Sequence, residues 1–132
     1  MEAKFLDTRE IDQVRLWWNN HGQELPVMFI NQDDWIGVSS PEHGLLSATC
    51  VYKAEGIDFG WMGWTVINPK ATLNGYKSLS FLFENALNIA REKGCSYIKT
   101  DSNSPMLNKV IEGTGFLTGA RNITSYYINT NG

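Results

Sequence analysis

Two short stretches hold most of the residues that could do chemistry. In Asn74-Gly75-Tyr76-Lys77-Ser78, a flexible Asn-Gly pair stands directly before an apolar periodic run. A chain that turns there into a helix near Tyr76 leaves amide N–H groups unpaired, and the helix dipole favours a phosphate or pyrophosphate beside them. Lys77 and Ser78 would add an ammonium and a hydroxyl. The same residues also suffice as an ordinary turn before an ordinary helix, since one glycine does not separate the two. In the second stretch, Asp101-Ser102-Asn103-Ser104 follows a short apolar run and precedes Pro105. That places it outside a strand end, where α/β sheets tend to contact ligands. Ser104 equally makes a competent helix cap.

Other chemistries find less support. Gly75-Tyr76-Lys77-Ser78 lacks the upstream glycine of a Walker loop, which must wrap the phosphates. His21 and His43 have no cysteine or histidine at ligand spacing, so no metal is expected. Ser39, Ser40 and Ser102 sit in no nucleophile elbow. Glu24, Glu42, Glu55, Asp58, Asp101 and Glu112 are the carboxylates that could work as acid or base, and each also suits a solvated surface.

Aromatic rings are plentiful: five Trp, five Tyr and six Phe in 132 residues. Trp17 and Trp18 are adjacent on a periodic segment, so one should pack inward while the other lines a groove or a subunit contact. Trp61 and Trp64 differ by three in a strand, so they should face opposite sides. Phe81, Phe83 and Phe116 belong to a helix–sheet core or its edge.

The elements that must position these residues are legible from periodicity and punctuation. Phe5 and Leu6 suit a short strand, and Asp7 or Thr8 caps a helix carrying Ile11, Val14 and Trp17, stopped at Asn20 to Gly22. Val27 to Ile30 is a short apolar run, and Trp35, Ile36 and Val38 follow a polar turn. Leu45 to Tyr52 and Phe59 to Ile67 form a hairpin around Gly56, ended by Pro69. Leu79, Leu82, Phe83, Ala86, Leu87 and Ala90 have helical spacing, with Gly94 as the stop. Tyr97 to Thr100 reads as a strand, Pro105 to Gly113 as a helix, and Thr124 to Ile128 as a last strand. The expected architecture is α/β in the broad α+β sense: a single mixed, mostly antiparallel sheet flanked by helices, in one domain spanning residues 1–132.

Charge narrows the function classes. Eleven Lys and Arg against fourteen Asp and Glu give a net charge of -3. The basic residues Arg91, Lys93, Lys99 and Lys109 are dispersed, so neither nucleic acid nor a membrane surface is expected as a partner. No apolar run approaches the roughly 20 residues of a membrane span, and no signal peptide opens the sequence. Cys50 and Cys95 each lie in an apolar run and read as two reduced core thiols, although two cysteines could form one disulfide. The expected setting is a reducing cytoplasm.

The stretch Gly63-Trp64-Thr65-Val66-Ile67-Asn68-Pro69, the long helix to Gly94-Cys95, Tyr97-Ile98-Lys99-Thr100-Asp101-Ser102-Asn103 and Glu112-Gly113-Thr114-Gly115-Phe116 resemble the GCN5-related N-acetyltransferase superfamily. Leu16-Trp17-Trp18-Asn19-Asn20-His21-Gly22 is similar to the start of its compact, divergent phage-type members. The resemblance implies two splayed parallel strands with acetyl-CoA between them. Pantetheine would run beside Thr65, Val66 and Ile67, and the pyrophosphate would meet the amides of Leu73, Asn74, Gly75, Tyr76, Lys77 and Ser78. Asn103 would lie near the pantetheine or the thioester. The acceptor, a small-molecule or protein amine, would meet Trp17, Trp18 and Trp35, in a monomer or a homodimer.

Two departures from that family's pattern stand out. Its pyrophosphate loop Q/R-x-x-G-x-G/A falls on Thr72, Gly75 and Lys77, so only the middle glycine is kept. The tyrosine that often protonates the leaving thiolate falls on Ile111, which leaves Asn103, Ser104 or a water to compensate. The expected function is an acetyl-CoA-dependent N-acetyltransferase. The alternative is a catalytically degenerate relative that serves as a binding or structural protein, associated with a phage particle or a host factor.

Overall fold

A computed structural model describes residues 1–23, 25, 32–102, 104–119, 124, 126 and 128. The chain begins with β1 (Glu2–Phe5) and α1 (Thr8–Asn20), and a 3-10 turn at Gln32–Asp34 leads into β2 (Trp35–Ser40). The hairpin of β3 (Gly44–Lys53) and β4 (Phe59–Ile67) is followed by α2 (Thr72–Glu92), β5 (Tyr97–Lys99) and α3 (Pro105–Gly113). The run Val27 to Ile30 and two residues of the expected last strand, Ser125 and Tyr127, lie outside the described residues. Thr124, Tyr126 and Ile128 are described and belong to no element.

Helix ends follow from local chemistry. Asp7 caps α1: its carboxylate accepts from the Glu10 amide at 2.8 Å, and the Glu10 carboxylate accepts from the Asp7 amide at 3.2 Å. This reciprocal box satisfies two donors that a helix start otherwise leaves unpaired. Gly94, at φ 92°, ends α2, with its N–H on the Arg91 carbonyl and the Cys95 N–H on the Ala90 carbonyl. Ser104 caps α3 by accepting from the Leu107 amide at 3.3 Å, with Pro105 in the first turn.

The strands form one sheet in the order β1-β2-β3-β4-β5. Its pairs are antiparallel up to β4, and β5 lies parallel to β4. This is the mixed, mostly antiparallel sheet that the pattern implied. One face packs on α1 through Ile11, Val14 and Trp17 with Trp35, Leu45, Ala48, Cys50 and Val66. The other packs on α2 and α3 through Leu79, Leu82, Phe83, Ala86 and Ile111 with Ile36, Val38, Val51 and Met62. Cys50 and Cys95 are both free thiols. Among the described residues no helix is long and apolar enough to cross a membrane.

Two features of β4 set up the site. It pairs with β5 only over Phe59, Gly60 and Trp61, opposite Tyr97, Ile98 and Lys99. Gly60 permits that pairing: a side chain there would meet the Cys95 sulfur at 2.6 Å. Beyond Trp61 the parallel strands no longer pair, so they splay. The second feature is a bulge. Ala48 faces Val66 and Cys50 faces Gly63, so Trp64 and Thr65 together stand opposite Thr49.

Candidate functional site

The splay between β4 and the chain leaving β5 opens a cleft of about 550 Å³. Gly63, Trp64, Thr65, Val66 and Ile67 form its β4 wall, and Asp101, Ser102, Ser104 and Leu107 form the wall opposite. Tyr76 and Leu79 of α2 close one side, and Trp18, His21 and Gln23 at the end of α1 close the other. The expected pantetheine residues Thr65, Val66 and Ile67 are therefore together on one wall, and Ser104 faces them. Asn103 lies outside the described residues.

The bulge shapes the cleft. Trp64 takes φ 55°, which side-chain-bearing residues rarely adopt. Its surroundings hold it there. The Trp18 indole N–H donates to the Trp64 carbonyl at 3.3 Å, and the two rings meet edge to face with centroids 5.2 Å apart. Thr49 donates its hydroxyl proton to the Gly63 carbonyl at 3.1 Å and lies 2.9 Å from the Thr65 hydroxyl. The extra residue also resets the alternation of the strand. Met62 belongs to the core under α2, whereas Trp64 and Val66 pack on the core under α1. Trp61, next to Met62, points away from α2 as well, so Trp61 and Trp64 share a face. The expectation of opposite faces fails because it counted an unbroken strand.

The start of α2 corrects a second expectation. The helix begins at Thr72, not near Tyr76, so Asn74 and Gly75 are in its first turn rather than in a loop before it. Gly75 donates its N–H to the Ala71 carbonyl at 2.7 Å, and the amides of Tyr76, Lys77 and Ser78 are likewise inside the helical ladder. The donors without a partner in the helix are the amides of Thr72, Leu73 and Asn74, and among the described residues no side chain caps them. Glycine is needed at 75 for a close approach: a Cβ there would stand 2.8 Å from the Ile67 Cβ and 3.1 Å from the Leu46 carbonyl oxygen. This contact ties the helix start to the end of β4.

The side chains of the same stretch separate. Ser78 is fully buried, donates to the Gly75 carbonyl at 2.6 Å and lies 2.7 Å from the Ser47 hydroxyl, so it braces helix against sheet and reaches no ligand. Its single proton being used, Ser47 donates to it. Lys77 is exposed. The Asn74 amide meets His43 Nε2 at 2.9 Å, and Leu73 is exposed at the helix tip. Tyr76 turns its half-buried ring to the cleft.

Among the ring candidates, Trp17 is buried in the core and Trp18 borders the cleft, as their adjacency implied. Trp35 is fully buried under α1 and cannot touch an acceptor. Its place at the start of β2, opposite Cys50, directs it inward. Of the carboxylates, Asp101 lies on the cleft wall, whereas Glu42, Glu55, Asp58 and Glu112 are exposed elsewhere, and Glu24 is outside the described residues. His21 was legible only as a helix stop; its position one turn beyond Trp17 and Trp18 brings it to the cleft. Ile111 is buried in the core under α2.

One pKa responds strongly to this packing. Burial pushes the Cys50 thiol up to about 12, Asp34 adds to the rise, and Lys93 opposes it. Cys50 is therefore a core residue and not a nucleophile at neutral pH.

No family model and no curated protein matches the chain in sequence. Solved structures do match in shape. The wild-type protein TTHA1254 of Thermus thermophilus superposes with a TM-score of 0.72 at 9% identity, over 98% of this chain and 99% of its own. The Mycobacterium tuberculosis protein Rv2747, solved with CoA, gives 0.72 at 10% identity, covering 95% of this chain and 77% of that one. An aminoglycoside N-acetyltransferase solved with CoA gives 0.67 at 12% identity over 97% of this chain and 100% of its own. At these identities the likeness shows the fold, which is the acyl-CoA N-acyltransferase-like fold of the GCN5-related N-acetyltransferases.

Proposed function

We propose that residues 1–132 form one acetyltransferase-like domain that transfers an acetyl group from acetyl-CoA to an amine. The observation that carries this reading is the junction of three features: the bulged, splayed β4 wall, the uncapped amides at the start of α2, and the Gly75–Ile67 contact that locks one to the other. That arrangement fits a long coenzyme with a phosphate-bearing end. Thr72, Leu73 and Asn74 would hold the pyrophosphate by backbone N–H groups, with Lys77 nearby, and Thr65 to Ile67 would line the pantetheine arm. Ser78 drops out of that set because it is buried.

When bound, acetyl-CoA supplies an acetyl thioester whose leaving group is a thiolate. The chain's own residues orient, shield and move protons. Trp18 holds the Trp64 carbonyl and so fixes the bulge, which sets the direction of the β4 amides that would stabilise an oxyanion. His21 would receive a proton from the attacking amine, directly or through water, and Asp101 would draw a cationic acceptor to the cleft. Ser104 and Asn103 are the proposed polar contacts near the reacting end. The Ser104 oxygen accepts from Leu107 and leaves its hydroxyl proton available. Catalysis would rest mainly on proximity, because Ile111 offers no proton to the thiolate. The proposed setting remains the cytoplasm, and the acceptor remains a small-molecule or protein amine, met by a monomer or homodimer.

Calorimetric titration with CoA and acetyl-CoA tests the reading. Binding in the micromolar range supports it, and no heat at millimolar ligand sinks it. Ile111 also favours a second reading, a binding protein that keeps the cleft and has lost turnover. CoA binding without thiol release, across a broad set of amines, would select that second reading.

A further inference from the structure

At the rim of the cleft, where β4 and β5 make their last pair, the protein already holds an ammonium. Trp61 and Lys99 are register partners on β4 and β5, the last pair before the strands part. Lys99 Nζ stands 5.2 Å above the centre of the Trp61 ring and 3.9 Å from Asp101 Oδ1. Asp101 in turn lines the cleft together with Trp64 and Thr65. An indole face and a carboxylate around one point are the two groups that attract a cation most directly.

Both are accessible. Trp61 is 45% exposed although it sits in a sheet, and its cross-strand partner Tyr52 is 43% exposed. The Asp101 and Lys99 side chains are about half exposed, so neither is committed to a core. The cleft wall adds two more indoles, Trp18 and Trp64. Among the described residues that line it there is one carboxylate and no lysine or arginine.

We infer that Trp61 and Asp101 form an ammonium seat, that Lys99 occupies it in the free protein, and that the ligand it receives is an aliphatic di- or polyamine. Its role as the acetyl acceptor rests on the acetyltransferase reading above. The need for two nitrogens follows from the chemistry. An amine held between an indole and a carboxylate is held as its cation, and a cation has no lone pair to attack a thioester. One nitrogen therefore anchors at the rim, and a second, neutral nitrogen reaches along the wall toward the Trp64 bulge. In the transfer, the N–C bond forms, the C–S bond breaks, the amine proton passes to a base or water, and the thiolate departs to be protonated by solvent. A carboxylate-bearing acceptor would meet Asp101 unfavourably.

Titration of the whole protein, alone and saturated with CoA, with spermidine, n-butylamine and glutamate tests this by calorimetry and tryptophan fluorescence. Spermidine should bind about tenfold more tightly than n-butylamine, and more weakly as salt rises. Asp101→Asn should erase that difference, and Lys99→Met should tighten spermidine several-fold by vacating the seat. Glu112→Gln, an equal change in net charge on the exposed side of α3, should leave it unchanged. Equal affinity for spermidine and n-butylamine, or equal losses in the Asp101 and Glu112 variants, would overturn the seat. Failure of CoA to bind would instead overturn the acetyltransferase reading, and the polyamine titrations would still decide the seat.

Discussion

Trp18 and Trp64 are 46 positions apart and meet twice: ring edge to ring face at 83°, and indole N–H to backbone carbonyl at 3.3 Å. The first contact packs the end of α1 onto the sheet. The second holds the carbonyl of a residue whose φ is 55°, at the centre of the candidate site.

That double contact separates shape from hydrogen bonding. Trp18→Phe keeps an aromatic edge and loses the donor, so it should cost about 1 kcal/mol of stability. Trp18→Ala loses both and should cost about 2 to 3 kcal/mol, less than a fully buried ring because Trp18 is only half buried. Urea unfolding of the two variants reads the difference. If CoA binds along β4, the Phe variant should also weaken it, since the bulge is freer to relax. Equal stability losses in the two variants would mean that the ring contact adds nothing to the hydrogen bond, and an unchanged Phe variant would mean that the hydrogen bond contributes nothing.

Gly75 should behave as a packing glycine. A methyl group at 75 must displace the Ile67 side chain or the Leu46 backbone. Helix propensity alone would make Gly75→Ala stabilising by about 1 kcal/mol. Overpacking of 1 to 3 kcal/mol should outweigh that gain and give a net loss, read as a lower thermal midpoint. A raised midpoint would show that helix and strand can separate at no cost. Gly75→Glu would consequently lose CoA through misfolding as well as through charge.

Leu73 offers the cleaner test of the anion site, because it is two-thirds exposed at the helix tip and packs on little. Leu73→Glu places a negative charge beside the uncapped amides. In the free protein this should stabilise α2 by about 0.3 to 1 kcal/mol through the dipole. The same charge should weaken CoA binding at least several-fold by repelling its phosphates. Stability and affinity moving in opposite directions is the signature sought. An unchanged affinity would place the phosphates elsewhere.

Much of the fold was legible because local and tertiary preferences agree. Asp7 and Ser104 cap as their residue types suggest, the hairpin turns at its glycine, and the apolar stripe from Leu79 to Ala90 faces the sheet. The site was less legible, for physical reasons. A tryptophan at positive φ contradicts local preference and is held there by Trp18 and the opposing Thr49, neither of which is near it in sequence. Without the bulge, the faces of Trp61 and Trp64 come out wrong. Asn74-Gly75 has turn composition, yet it sits within a helix because the glycine answers to Ile67 across the interface. Ser78 looked like a ligand hydroxyl only because its burial against Ser47 depends on β3.

Cys50 gives a prediction with a definite pH direction. Its folded thiol titrates near 12, raised first by burial and then by Asp34, against an ordinary 9.0. Lys93, which moderates the rise, is held in place by Asp34 at 2.7 Å and the Val51 carbonyl at 2.8 Å. At pH 8 the native thiolate fraction is roughly one in ten thousand, so a disulfide reagent should modify half-buried Cys95 first and Cys50 only through opening of the fold. Below about pH 9 both folded and unfolded thiols are protonated, and the contribution of Cys50 to stability does not vary. Above it the unfolded chain gives up the proton while the native chain keeps it, so stability falls as pH climbs from about 9 toward about 12. The slope from this one group approaches about 1.4 kcal/mol per pH unit. Cys50→Ala should be less stable at neutral pH because of the cavity, and its deficit should shrink over that alkaline window. A deficit that is constant from pH 7 to 11 would show that the thiol titrates normally and that the core around Asp34 and Lys93 admits water.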